Sequence, residues 1–214
     1  MPMRGPVKKP CLTARIAGVC MAFSLSGPLL AAPPAVAPPS TKPPATKPTP
    51  SPVPKPDPLA KAEAELKQAP GVAEARSLEA QAENLRQSHL QAMVRLLGAQ
   101  AESALSHHDF RAAEQAASDA IVLQPDQPIL RRERARIRAA AGDFQDAIAD
   151  LGVAVQGDAG DVVAWQMLAD IEAQRHDYRA AVAALDQALT LDPHLQGGAA
   201  LRRKLVLLRD GQPA

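Results

Sequence analysis

The chain has 214 residues and a formal charge of +1, room for one ordinary domain with additional segments. Near-neutral charge gives no global argument for nucleic acid, and aromatics at 2% exclude a base-stacking platform. Hydrophobic residues make up 46%, many of them Ala, which loses no side-chain entropy in a helix. No stretch alternates β-branched and polar residues as a strand would, so the expected class is all-α.

The first segment reads MPMRGPVKKPCLTARIAGVCMAFSLSGPLLAAPP. Arg4, Lys8, Lys9 and Arg15 give a basic start, Ile16 to Leu30 is an uncharged apolar stretch, and Ala31 and Ala32 are small. That order predicts a secretory signal over 1–31, cleaved after Ala31, and a periplasmic or otherwise exported protein. An uncleaved segment tethering the chain to the inner membrane is the alternative. Against it, the apolar run is shorter than the ~20 residues a span needs, and Gly27 and Pro28 interrupt it. Val19 before Cys20 does not fit a lipoprotein signal. Cys11 and Cys20 are the only cysteines, so the chain beyond 31 offers no disulfide, thiolate ligand or Cys nucleophile.

Residues 32–58 are rich in Pro, with Lys42, Lys47 and Lys55 interspersed. Each Pro removes a donor and turns its predecessor away from helix, so the segment is expected to be an extended, disordered linker. At about 3.1 Å per residue it would reach roughly 80 Å. It fits a spacer holding a domain away from a membrane or wall; a ligand for a proline-reading domain is the other reading.

The composition changes at Leu59. Over 59–93 the pattern predicts N-terminal helices, with Pro70-Gly71 separating a short helix from a long one. In the long one Ala75, Leu78, Ala82, Leu85, His89, Ala92, Leu96 and Ala99 recur at three and four. Half of this seam is Ala, so it suits packing on the chain's own repeats better than a self-associating coiled coil. His89, on the seam, is expected to be partly buried and neutral.

Beyond that, one pattern is written three times. Phe110, Phe144 and Tyr178 are spaced 144−110 = 34 and 178−144 = 34. The same step joins Ala113, Ala147 and Ala181, and again Ala120, Ala154 and Ala188. Units of this length hold two helices and two turns, here 94–127, 128–161 and 162–195. Asp109, Asp143 and Asp177, each before the aromatic, can cap the second helix, with His108, Gly142 and His176 in the turn ahead. Ala117, Leu151 and Leu185 complete a 3-4-3 buried stripe, which places Phe144 between the helices of the middle unit. Pro125 and Pro193 close their units.

The third unit, with Trp165, Leu168, Ala169, Tyr178, Ala181, Leu185, Ala188 and Pro193, resembles the tetratricopeptide repeat. The resemblance covers 94–195 and implies a short right-handed superhelical solenoid of helix–turn–helix units. Its departures sit in the first helices: Arg131 and Arg134 stand where unit three has Trp165 and Leu168, Gln100 stands at the Leu position of unit one, and Glu172 replaces a usual Tyr. Unit two ends in Gly157-Asp158-Ala159 with no closing Pro. Residues 196–214 are expected to form a capping helix and tail, with Leu201, Leu205 and Leu208 on its apolar face.

The motifs of catalytic and phosphate-binding sites do not occur, so no enzyme and no cofactor are expected. His107, His108 and Asp109 could suggest a metal cluster, but the recurrence of His176-Asp177 at the same turn marks a structural role, and no metal is expected. The resemblance implies that the first helices line a concave groove. By position, Arg132 and Arg136 face it, with Glu102 and Asp170 on neighbouring first helices and Lys204 on the terminal helix. Two guanidiniums four residues apart suit a carboxylate or acidic segment; a solvated face paired with Glu133 is the competing reading. The expected role is an exported scaffold or adaptor holding peptide segments of other envelope proteins. A structural subunit assembling as a homo-oligomer through 59–105 is one alternative. An auxiliary domain of a cell-wall or polysaccharide-export machine is the other.

Overall fold

The computed structural model describes residues 57–211. The signal segment 1–31, Cys11, Cys20 and nearly all of the Pro-rich segment 32–58 lie outside the described residues. The described residues form nine α-helices: α1 (Pro58–Leu66), α2 (Val72–Ser88), α3 (Ala92–Ser106), α4 (Phe110–Leu123), α5 (Pro128–Ala141), α6 (Phe144–Gly157), α7 (Val162–Gln174), α8 (Tyr178–Leu191) and α9 (Gly198–Asp210). Helices α3–α4, α5–α6 and α7–α8 pack as pairs, with α4 on α5 and α6 on α7 joining the pairs into an array and α9 covering α8. Among the described residues no helix is long and apolar enough to cross a membrane.

The turns inside the pairs show why the pattern repeats. His108, Gly142 and His176 take left-handed backbone angles, φ 57°, 89° and 63°. That conformation ends the first helix and lets the next amide reach back: Asp109 N–H donates to the Ala104 carbonyl at 2.9 Å, and Asp177 N–H to that of Glu172 at 2.9 Å. The side chains of Asp109 and Asp177 then accept from the backbone of Ala112 and Ala180 at 3.0 Å each, capping α4 and α8 as expected. Asp143 makes no such side-chain bond to α6. The two histidines pack edge-on against Phe110 and Tyr178 with ring centres 5.9 Å apart, and His176 Nδ1 lies 2.8 Å from the Tyr178 hydroxyl.

The small-residue stripe is the core. Ala113, Ala147, Ala181, Ala120, Ala154 and Ala188 are buried, together with Ala117, Leu151 and Leu185. Phe144, expected deep between its helices, is only half-buried, like Phe110 and Tyr178. It is the first residue of α6 and sits at the rim of the cluster formed by Ala135, Ala147 and Leu151. Trp165 and Leu168 are also half-buried, and Trp165 Nε1 donates to the Ala159 carbonyl at 3.1 Å.

The departures of the middle unit have a partner. Asp150 occupies the position held by Ala116 and Ala184 in the flanking units and is equally buried. Arg134 donates to it twice at 2.7 Å, Arg138 at 2.8 Å and Arg131 at 3.2 Å. An ion cluster thus replaces the Trp–Leu–Ala packing of unit three. Burial raises the Asp150 carboxyl, but the Arg134 hydrogen bond and the arginine charges outweigh it and hold it below the usual range.

The expected seam from Ala75 to Ala99 also fails as a single helix, because the chain bends at His89-Leu90-Gln91 between α2 and α3. Ala75, Leu78 and Ala82 are buried, but His89 is exposed at the end of α2.

Candidate functional site

The first helices α3, α5 and α7 share one face of the array, where Arg136 of α5 reaches Glu102 of α3 and α5 touches α7. The hairpin α1–α2 meets this face along the edge made by the loops α4–α5, α6–α7 and α8–α9. At one end His194 Nε2 meets the Ala69 carbonyl at 2.9 Å, and Arg76 donates to Gln196 at 2.7 Å. In the middle Arg86 donates to Asp158 and to Glu63, each at 2.6 Å. At the other end the Gln124 amide brackets the bend after α2. Leu66, Ala75 and Leu78 join the apolar cluster of α7, α8 and α9.

Arg132 is the centre of this seam. It is 3% exposed. Glu83 of α2 takes it in two bonds, 2.7 Å from Nη2 and 3.0 Å from Nη1, and Asp161 accepts from Nη1 at 2.8 Å. The other oxygen of Asp161 caps α7 by accepting from Ala164 N–H at 3.0 Å. Burial opposes the Arg132 charge, yet the Glu83 hydrogen bond and the Asp161 charge raise its pKa further. Burial likewise opposes the Glu83 charge, and the Arg132 bond overcomes it, so Glu83 ionises below its usual range.

The five residues expected to act together are therefore divided. Arg132 is buried and engaged by its own chain. Arg136 is half-exposed and pairs with Glu102 across to α3 and with Glu133 at 3.1 Å. Asp170 sits on α7 outside ion-pair distance of these groups, and partial burial keeps its carboxyl above the usual range. Lys204 is exposed on α9 and joins none of them.

The half of the groove left open is a cavity of about 290 Å³ between α3 and α5, closed at one end by Gln87 and Leu90. Val94 and Ile129 contribute to an apolar floor, and Glu102, Glu133 and Arg136 form a charged rim. Gly98 opens onto it, and a Cβ added there would meet nothing within 4 Å. Such a site can seat an apolar side chain between flanking charges. Among the described residues no group of three or more His, Cys, Asp or Glu is arranged to hold a metal.

The hairpin's occupation of the groove was the feature hardest to foresee. Its one signal was Glu83, an acidic residue beside the buried Ala75, Leu78 and Ala82, which meets Arg132 of the arginine-rich α5.

No family model and no curated protein matches this chain. Solved structures do. The first tetratricopeptide domain of Spaghetti (RPAP3), bound to the HSP90 peptide SRMEEVD, aligns with a TM-score of 0.53 at 16% identity, over 57% of this chain and 98% of that one. The Sgt2 tetratricopeptide domain from Aspergillus fumigatus gives 0.53 at 18% identity, over 58% and 87%. The Arabidopsis OM64 domain gives 0.51 at 20% identity, over 54% and 95%. The chain carries the tetratricopeptide-repeat fold, an all-α array of packed helix pairs.

Proposed function

We propose that this chain is a non-enzymatic scaffold that holds peptide segments of other proteins on the open half of its groove, and that it does so in the bacterial cell envelope after export. The observation that carries the reading is the cavity between α3 and α5, with its apolar floor, charged rim and unfilled space at Gly98. Ligand sites are concave, mainly apolar and fitted with a few convergent polar groups. The Spaghetti domain, similar in fold, is described with a bound peptide of another protein. The envelope setting rests on the basic–apolar–small order of residues 1–31 and the Pro-rich spacer after them.

A photo-crosslinker placed at Arg95, on the cavity, and one at Arg111, outside its lining, separate specific capture from background. A partner should crosslink from Arg95 and not from Arg111, and Gly98→Trp, which fills the space without backbone strain, should abolish it while circular dichroism stays unchanged. Equal capture from both positions, or capture indifferent to Gly98→Trp, sinks the reading. Cell fractionation and N-terminal sequencing test export: the expected start is Ala32, and an intact Met1 in a cytoplasmic pool overturns it.

A further inference from the structure

The seam Ala75, Leu78, Ala82, Leu85, His89, Ala92, Leu96 and Ala99 keeps its three–four spacing straight through the bend at 89–91. On α2 its residues turn onto the array. On α3 the same seam faces solvent: Ala92 and Ala99 are exposed and Leu96 is 62% exposed. The unit-by-unit equivalents of Leu96, 34 residues on each time, are Leu130 and Ala164, both buried against a preceding unit. Unit one has none, so half of a continuous seam is left uncovered.

Nothing in the covalent chain requires the bend. From Val72 to Leu97 there is no Gly or Pro. In an unbroken helix Gln91 N–H would donate to Gln87, and the His89 carbonyl would accept from Met93. In the bent form one side chain replaces both bonds: Gln91 N–H donates to Gln124 Oε1 at 2.7 Å, and Gln124 Nε2 donates to the His89 carbonyl at 3.2 Å. The bend is thus held by a pin on α4 and by the docking of the hairpin.

We propose that two copies of this chain exchange their α1–α2 hairpins. The segment 72–106 straightens into one helix, each hairpin docks on the other copy's array, and the uncovered seam at Ala92, Leu96 and Ala99 packs against its counterpart. Exchange of an identical element preserves the docking contacts of the closed form apart from those at the bend, including Glu83 on Arg132 and Arg86 on Asp158, now between copies. The second copy supplies the carboxylate that each Arg132 needs, so neither groove is complete without it. The straight helix regains its own backbone bonds, and the seam gains a partner of matching spacing. The seam's alanines make this association weaker than that of a leucine-rich coil, which suits an exchange set by concentration.

Two substitutions separate the forms. Ala92→Pro fits the bent chain, because Ala92 is the first residue of α3 and Gln91 before it is extended at ψ 157°. The same Pro is incompatible with a straight helix, where it loses a bond and clashes with the preceding turn. Gln124→Ala removes the pin. The full chain is refolded from urea at high concentration and followed by sedimentation velocity. The wild type should yield a dimer that persists on dilution, Gln124→Ala should lower its dissociation constant by about tenfold or more, and Ala92→Pro should leave monomer with unchanged helicity. Two glycines inserted after Leu90 give a second block on straightening, in case Ala92→Pro fails to fold. No dimer in either wild type or Gln124→Ala overturns the proposal, as does a dimer that survives both blocks. Because crosslinking from the cavity between α3 and α5 reads peptide capture independently, the two ideas stand or fall separately.

Discussion

Arg132 and Asp161 lie 2.8 Å apart and almost wholly out of solvent, and the same Asp161 carboxylate caps α7. A first-helix arginine, a helix cap and, through Glu83, the N-terminal hairpin share one ionic junction. Removing the guanidinium leaves Asp161 and Glu83 charged without their partner. Arg132→Ala should therefore lower stability by about 3–5 kcal/mol. Arg136→Ala should change it by under about 1 kcal/mol, because that side chain is 41% exposed in its pair with Glu102. Urea titration of the two variants checks this. Equal midpoints would remove the junction's importance.

Leu185 is fully buried where Phe144 is only half so. Leu185→Ala should cost about 3–4 kcal/mol, within the usual range for core leucines. Phe144→Ala should cost about 2 kcal/mol, below the range for a fully buried Phe. The order of the two unfolding midpoints is the measurement, and a larger loss at Phe144 would mean the rim of the middle unit is tighter than its centre.

Asp150 and Glu79 should respond to pH in opposite senses. Asp150 ionises below its ordinary value of 3.8 in the fold, where Arg134 and Arg138 outweigh its burial. Its contribution is present above that value and is lost as pH falls through the depressed one. Glu79 is shifted up from 4.5 by burial and by the neighbouring Asp192. Its proton is held more tightly folded than unfolded, so its contribution is full below 4.5 and disappears as pH rises through the raised value. Glu79→Gln should accordingly stabilise the protein at pH 7 and have little effect at pH 4. Asp150→Asn should destabilise it at pH 7, with the deficit shrinking in acid. Thermal unfolding across that range tests both signs.

Gly160 lies beneath the Glu63 carboxylate, and a methyl group there would come within 2.2 Å of it. The flexible Glu63 can move, but only by giving up its bond to Arg86. Gly160→Ala should cost about 1.5–3 kcal/mol, the range for hydrogen bonds to charged groups. In a Glu63→Ala background the same change should cost much less, a non-additivity that a double-mutant cycle reads directly. Additive losses would show that the glycine matters for its backbone alone.

The array was legible because its packing rule is local and written three times. Ala113, Ala147 and Ala181 recur at one position, and a buried stripe of that rhythm has few other solutions. The caps at Asp109 and Asp177 followed from the same logic. The bend at His89-Leu90-Gln91 was not legible, since no Gly or Pro marks it and the bond that holds it comes from Gln124, more than thirty residues away. Arg132, read from its position in the unit as a groove residue, is buried and held by Glu83 and Asp161. Its partner Glu83 lies 49 residues upstream, outside the 34-residue frame, so the repeat pattern by itself does not pair the two. Arg131 and Arg134 looked like decay of the repeat until Asp150 supplied the compensating charge.

The hairpin also sets how the protein must fold. Stacked units contact only their neighbours, and each can form from contacts close in sequence. The bonds from Arg76 to Gln196 and from His194 to Ala69 span 120 and 125 residues. Closing loops of that size has an entropic cost that must be met before the contacts form, and it slows the step that makes them. Array formation should thus be a fast phase, and docking of α1–α2 a slower one that reports on the last unit as well as the first. Until that second phase finishes, Arg132 is an open cation beside an Asp161 that already caps α7, and the newly made chain passes through a state whose groove is wider than the one it keeps.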